Sequence, residues 1–179
     1  VCGGRSVDEL VGDLLSCGVE AGLFKPEEAA GEADAVMGVL SARPSVLQDR
    51  FLAVERERGG MAAMRWFYRY CVDNTYVKRA QLDANPRFDA HGLVITINLA
   101  KPEFKNMAKA AAGNAVAGGY PQCTICHANE GFAGRNKRTL RTIPVTLGGE
   151  PWFWQFSPYG YFTEHGICVN TEHTPMHVD

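Results

Sequence analysis

The chain has 179 residues, of which 46% are hydrophobic and 21% are charged, so disorder throughout is excluded and a core can form without disulfides. Its 18 Lys and Arg against 20 Asp and Glu give a formal net charge of -2, without the basic excess typical of nucleic-acid-binding surfaces. Its apolar runs are too short to span a membrane, so we expect neither nucleic acid nor a membrane as a partner.

The first part of the chain predicts a series of helices. Residues 6–9 form a Ser-x-x-Glu capping box, and apolar residues follow it at helical spacing. Pro26 begins a second helix that runs towards Leu40. Residues 45–48 predict another capping box at the start of a third helix. Residues 59–60, both Gly, separate that helix from a fourth, whose stripe of Met and aromatic residues is typical of core packing.

From residue 93 onward the sequence favours strands. Residues 93–99 are apolar and β-branched, which predicts a strand. Pro102 can open a helix that ends at residues 118–119, both Gly. Further strands are predicted at residues 139–147, 151–157 and 165–170. The Gly pair at residues 148–149 predicts a hairpin turn between the first two of these strands.

This order of elements predicts an α+β protein with two regions. Residues 1–90 form a helical region, and residues 91–179 form a mostly antiparallel sheet region with one helix.

The six cysteines are typical of thiols in a reducing compartment. The chain is too large and too apolar to need a disulfide framework, and its first residues lack the pattern of a signal peptide. Four of the six stand among apolar neighbours, where buried free thiols are common. We therefore expect a cytoplasmic protein.

Cys123 and Cys126 form a Cys-x-x-Cys motif, the sharpest local signal in the sequence. Two thiolates in one turn can hold one side of a tetrahedral zinc ion, whose other ligands must come from elsewhere. The candidates are His127, His165, His173 and His177. A Cys₄ ribbon is excluded because the sequence has no second Cys-x-x-Cys.

Other interpretations of the motif stay open. The pair can be two free thiols in a turn, or a redox pair, although the βαβ pattern expected around a redox pair is missing. Cys123, Cys126 and His127 also satisfy the Cys-x-x-Cys-His pattern of c-type haem attachment, which normally requires export.

The residues around the motif resemble a known family. Residues 123–135 read Cys-Thr-Ile-Cys-His-Ala-Asn-Glu-Gly-Phe-Ala-Gly-Arg. This run resembles the signature of the second class of galactose-1-phosphate uridylyltransferases, found mainly in Gram-positive bacteria, where a Cys-x-x-Cys precedes Glu-Asn-Glu-Gly-Tyr-Ala-Gly-Arg. The resemblance also covers residues 41–45, 73–76, 94–102, 141–147, 152–159, 164–170 and 172–176, in order.

The resemblance implies a half-barrel of antiparallel strands related to the histidine-triad fold. It implies transfer of UMP between UDP-glucose and galactose 1-phosphate, through a covalent uridylyl-histidine. The nucleophile of the family belongs to a His-x-His motif, which this sequence lacks. We therefore expect an internal piece of such an enzyme, inactive alone. Loss of a core strand would expose sheet edges, so we also expect self-association into a homodimer. The alternative is a zinc-stabilised, non-catalytic binding module.

The resemblance also implies site residues. The metal ligands would be Cys123, Cys126 and His173, a donor set suited to zinc. The substrate-binding residues would be Asn129, Phe132, Arg135, Phe153 and Gln155. An Arg suits a phosphate through its planar fork of donors, and an aromatic ring beside an amide suits a base. The aromatic residues of this stretch can equally form the core of the sheet.

Overall fold

The computed structural model describes residues 4–99, 125–131 and 137–173 of the chain. Within these residues the helices are α1 Val7–Glu20, α2 Ala29–Leu40, α3 Pro44–Arg58, α4 Gly60–Asp73 and α5 Arg79–Asp83. The strands are β1 Arg87–Ala90, β2 Leu93–Thr96, β3 Ile143–Leu147, β4 Glu150–Phe156 and β5 Gly166–Asn170. The helices come first and both sheets are antiparallel, so the α+β class is confirmed. The relationship to a half-barrel stays a prediction.

The capping box predicted for α1 is confirmed. The Glu9 amide donates to the Ser6 hydroxyl at 3.2 Å, and the Ser6 amide donates to the Glu9 carboxylate at 2.7 Å. The capping box predicted at residues 45–48 is wrong, because α3 already begins at Pro44 with Arg43 as its extended N-cap. Proline has the φ angle of a helix and no amide hydrogen, so it occupies the first helical position and places Ser45 inside the helix.

Several elements differ from the prediction. Helix α5 and strand β1 were not predicted, and β1 pairs with β2 in a two-stranded hairpin. The predicted strand at residues 93–99 is limited to β2, and that at 139–147 to β3. The helix predicted from Pro102 lies outside the described residues. The division at residues 90 and 91 stays a prediction.

The larger sheet has the order β3-β4-β5. Gly148 and Gly149 join β3 to β4 with φ angles of +60° and +86°, values that glycine adopts without strain, so the predicted hairpin turn is confirmed. Because side chains alternate along a strand, the sheet has two distinct faces. We call the face with Ile143, Trp154 and Phe156 the helix face, and the face with Pro144, Phe153 and Gln155 the site face.

The core lies between the helix face, α3 and α4. Its buried residues are Leu47, Phe51, Val54, Ala63, Phe67, Cys71, Tyr76, Val77, Leu140, Ile143 and Phe156. The Phe67 ring stands at its centre, 6.3 Å from the Phe51 ring and 5.3 Å from the Phe156 ring, measured between centroids. Packing of these apolar stripes fixes the orientation of the sheet on the helices.

Arg141 ties the helical region to the start of β3. Its guanidinium is buried and donates to the carbonyls of Ala42 at 2.6 Å, Arg138 at 2.8 Å and Leu140 at 2.7 Å. The amide of Ala42 in turn donates to the Tyr70 hydroxyl at 2.8 Å. The loop before α3 is therefore held from both the sheet side and the α4 side.

The described cysteines occupy different environments. Cys71 is buried, as predicted, and burial raises the pKa of its thiol against the smaller opposing effect of the Arg141 cation. Cys168 is half-buried. Cys17 is exposed, so the expectation of burial is wrong there, because it lies on the solvent side of α1.

None of the helices within the described residues is both long enough and apolar enough to cross a membrane.

Phe67→Ala tests the placement of the core. Phe67 is 0% exposed, so its truncation should lower the free energy of unfolding by about 3–5 kcal/mol. Phe162→Ala is the matched control, since Phe162 is 73% exposed and its loss should cost less than about 0.5 kcal/mol. Urea denaturation monitored by circular dichroism measures both, and equal losses would contradict this core.

Candidate functional site

Cys126 and His173 lie side by side although they are 47 residues apart in the sequence. The Cys126 sulfur is 2.9 Å from His173 Nδ1. Cys126 immediately precedes a 3₁₀ turn, His127–Asn129, and His173 lies three residues beyond the end of β5. We call residues 125–131 the thiol turn. The thiol turn contacts β4 on the site face, and β5 pairs with β4, so this strand brings the two side chains together.

Two buried amide side chains hold the thiol turn in shape. Gln155, which is 2% exposed, reaches from β4 and donates to the Ile125 carbonyl at 3.1 Å. The Asn129 side chain, also 2% exposed, donates to the Cys126 carbonyl at 3.3 Å, and the Asn129 amide donates to the same oxygen at 3.0 Å. The backbone on both sides of the Cys126 sulfur is thereby fixed.

Glu130 ties the other end of the thiol turn to the start of β3. Its carboxylate accepts from the Thr142 amide at 2.7 Å and from the Thr142 hydroxyl at 3.1 Å. The Glu130 side chain is only 8% exposed, so these charge-assisted bonds compensate for lost hydration.

The His127 side chain extends from the thiol turn to the sheet. Its ring centroid is 5.2 Å from that of Phe153, and its Nδ1 is 3.3 Å from the Thr142 hydroxyl and 3.9 Å from the Glu130 carboxylate. The side chain is 45% exposed, so one edge of the imidazole faces solvent. In a Cys-x-x-Cys-His haem site, the His127 imidazole would be the iron ligand. Here this ring contacts the Phe153 ring and the Thr142 hydroxyl.

A cavity of about 310 Å³ opens next to this imidazole. It is lined by His127, Pro144, Val145, Thr146, Pro151, Trp152, Phe153 and Thr171. Its volume lies at the lower end of the range for small-molecule sites. Rings and proline surfaces form most of its walls, and His127 and two threonines supply polar groups.

The predicted metal ligands fit zinc as far as the structure describes them. A thiolate and an imidazole nitrogen that face each other are suitable donors for this ion. In a tetrahedral zinc site these donors would stand roughly 3.5 Å apart, so a small movement from the observed contact would admit the ion. Cys123 lies outside the described residues, and within them no group of three acidic, Cys or His side chains could hold a metal.

The predicted substrate-binding residues have different surroundings. Phe153 is buried and forms part of the cavity wall. Asn129 and Gln155 are buried and direct their amides to the thiol turn. Phe132 and Arg135 lie outside the described residues. A substrate contact for any of these residues stays a prediction.

Sequence reasoning did not single out Glu130 or Thr142. Glu130 follows Asn129 in the run that resembles the family signature, and its place in that run was the one sequence feature that could have identified it as a site residue. Nothing in the sequence pairs it with Thr142, because that pairing arises from the position of the thiol turn on the site face.

Lys137 is a half-buried cation that contacts Tyr76. Its amine donates to the Tyr76 hydroxyl at 3.4 Å and lies 5.5 Å from the ring centroid. Burial lowers the pKa of Lys137, and burial raises the pKa of Tyr76, with the Cys71 and Tyr159 groups adding to the rise. Both shifts mark a poorly hydrated contact between Lys137 and Tyr76, which lies three residues beyond the end of α4.

The chain is similar to known proteins along nearly its whole length. A family model described as galactose-1-phosphate uridyl transferase, N-terminal domain, matches residues 19–175. A galactose-1-phosphate uridylyltransferase of Bifidobacterium longum subsp. longum is 73% identical over 177 residues, which cover 99% of this chain and 34% of the relative.

More distant relatives carry the same name. That of Pediococcus pentosaceus is 38% identical over 96% of this chain and 37% of its own length. That of Butyrivibrio fibrisolvens is 35% identical over 97% of this chain and 47% of its own length. The chain therefore spans between a third and a half of the length of these curated relatives. No solved structure matches it.

Gln155→Leu tests the anchoring of the thiol turn. The change keeps the volume but leaves the Ile125 carbonyl without its donor, which should lower the free energy of unfolding by about 1–3 kcal/mol. Gln48→Leu is the control. Gln48 donates to the Thr142 carbonyl across a long distance of 3.5 Å, so loss of this weak bond should cost less than about 0.5 kcal/mol. Chemical denaturation measures both, and an undiminished stability of Gln155→Leu would contradict the anchor.

Proposed function

The chain belongs to the galactose-1-phosphate uridylyltransferase family, and on that premise we propose that it forms part of an enzyme that moves UMP between UDP-glucose and galactose 1-phosphate. The family match over nearly the whole chain supports this proposal. The activity is proposed for the whole protein, of which this chain spans about a third in its Bifidobacterium longum relative.

The contact between Cys126 and His173 is the observation that carries the proposal to particular residues. We propose that Cys123, Cys126 and His173 hold a zinc ion. The donor chemistry supports zinc, and the Cys126 sulfur and His173 Nδ1 already lie 2.9 Å apart. A bound zinc would supply structural cross-linking there, without taking part in the transfer.

Cys126 and His173 join the thiol turn to the segment that follows β5. The thiol turn is also bonded to β4 through Gln155 and to the start of β3 through Glu130. Three strands are thereby connected around one side of the site face. Such a rigid frame can hold a nucleotide in one orientation, which is the main contribution that a scaffold makes to group transfer.

The transfer would proceed in two steps through a uridylyl-histidine, which splits one displacement at the α-phosphorus into two. The nucleophilic histidine belongs to a His-x-His motif in the family, and this sequence has none. The residues of this chain would bind rather than react. Arg135 would neutralise phosphate charge, and Phe153 would pack against the base.

A homodimer is part of the same proposal, because an unpaired sheet edge would favour self-association. A zinc-stabilised binding module without chemistry is the competing interpretation, and it predicts the same metal ligands but no transfer.

Removal of either of the two proposed ligands that the structure describes tests the metal proposal. Cys126→Ser and His173→Gln should each weaken zinc binding by at least about 100-fold, because each deletes a direct donor. Cys168→Ser and His91→Asn are matched controls. Cys168 lies on the helix face, opposite the site, and His91 is an exposed turn residue whose φ of +52° asparagine tolerates.

Competition with a chromophoric chelator measures these affinities. Equal zinc affinity in all variants would show that Cys126 and His173 are not ligands.

A chimera tests the transferase proposal. The chain alone should transfer no UMP, because it lacks the nucleophile motif. Grafted in place of the matching segment of the Bifidobacterium longum relative, it should support transfer from UDP-glucose to galactose 1-phosphate, since 73% of the aligned residues are identical. Product formation followed by chromatography measures this, with the relative itself as the positive control.

Turnover by the chain alone would contradict the assignment of the nucleophile. A folded chimera without transfer would favour the non-catalytic binding module.

A further inference from the structure

Glu130, Thr142 and His127 form a continuous hydrogen-bonded run beside the cavity. The ionised Glu130 carboxylate can only accept, and the Thr142 hydroxyl donates to it at 3.1 Å. A hydroxyl has a single hydrogen, so the Thr142 oxygen must act as an acceptor towards its other neighbour. That neighbour is His127 Nδ1 at 3.3 Å, which therefore carries the hydrogen and donates.

This direction of donation fixes the imidazole. A neutral imidazole has one N–H, and when Nδ1 carries it, Nε2 presents a lone pair. Phe153 packs against the same ring, so its orientation is held as well as its tautomer. His127 lines the cavity, and because Thr142 engages Nδ1, the ring nitrogen left for a ligand there is Nε2.

The remaining walls indicate which ligand this acceptor would serve. Phe153, Pro144 and Pro151 present apolar surface suited to a planar ring. A ring with an N–H in its plane would bury its faces against these walls and direct its hydrogen to His127. Uracil has such a hydrogen at N3, whereas cytosine has a bare nitrogen there.

We propose that Glu130, acting through Thr142, holds His127 in the Nδ1–H tautomer so that Nε2 accepts a hydrogen bond from N3–H of a uracil ring in this cavity. The inference rests on the proposed function, which supplies a uridine nucleotide as the ligand. His127 is the contact residue and selects uracil against cytosine. Glu130 is a positioning residue, because it acts through Thr142 and His127.

Glu130→Gln tests the relay with almost no change in shape. The glutamine oxygen can still accept from the Thr142 amide, but its NH₂ group now donates to the Thr142 hydroxyl. The hydroxyl then turns its hydrogen towards His127 Nδ1, and the imidazole changes to the Nε2–H tautomer. Glu172→Gln is the control, since Glu172 is exposed and follows Thr171 outside the relay.

¹⁵N nuclear magnetic resonance of the imidazole reports the tautomer directly. We would record the spectra of every variant at the same mildly alkaline pH. The unmodified chain and Glu172→Gln should show Nδ1–H, and Glu130→Gln should show Nε2–H. Thr142→Val is a second variant that removes the hydroxyl with little change in shape, and it should also lose the Nδ1–H preference.

The same spectra, with UMP or CMP added, test the ligand. The unmodified chain should bind UMP about 10-fold more tightly than CMP, the difference expected for one hydrogen bond made or lost, and UMP should shift the Nε2 resonance. Glu130→Gln should abolish the preference.

Folded variants at Glu130 and Thr142 that keep the Nδ1–H tautomer would overturn the relay. UMP binding without a change at His127 would overturn the contact while leaving the proposed function intact. Absence of UMP binding would overturn both the contact and the nucleotide role of this face.

Discussion

The second part of strand β4, from Phe153 to Phe156, is packed on both of its faces, and the rest of the structure depends on that constraint. Phe156 enters the core against α4, with its ring 5.3 Å from that of Phe67. Phe153 and Gln155 point the opposite way and contact the thiol turn. A slip of β4 by one residue would move the helix-face side chains to the site face and the site-face side chains to the helix face. The register of β4 in the sheet therefore specifies both the packing of the helices and the geometry of the candidate site.

The polar contacts around β4 follow from the same arrangement. Arg141 and Glu130 are charged side chains in poorly hydrated positions, and each is compensated by hydrogen bonds to the backbone. Together they connect α3, β3 and the thiol turn, elements that are distant in the sequence. Because buried polar groups are costly when unsatisfied, such contacts favour one arrangement of these elements over its alternatives.

Local signals in the sequence predicted much of the fold. The capping box at Ser6, the Gly148 turn and the apolar stripes of α3 and α4 are short-range features, and the structure confirms them. The stripe of α1 is only partly buried, because Val7 and Leu14 are exposed. Ser45 misled because the neighbouring proline is the stronger start signal. Helix α5 and strand β1 are short and lack a clear apolar period, so pattern analysis could not detect them.

The site was predictable only in part, for a different reason. The pairing of Cys126 with His173 came from resemblance to a family, since no local pattern relates residues 47 positions apart. The link from Glu130 to Thr142 and His127 was missed, because it forms only when the thiol turn packs on the sheet. Resemblance identifies residue types at a site, whereas hydrogen-bond direction requires the folded geometry.

X-ray absorption at the zinc K edge of the zinc-loaded chain tests the central claim most directly. The account predicts sulfur neighbours at about 2.3 Å together with at least one imidazole nitrogen at about 2.0 Å. A coordination shell of oxygen and nitrogen alone would contradict it, because the Cys126 thiolate would then not be a ligand.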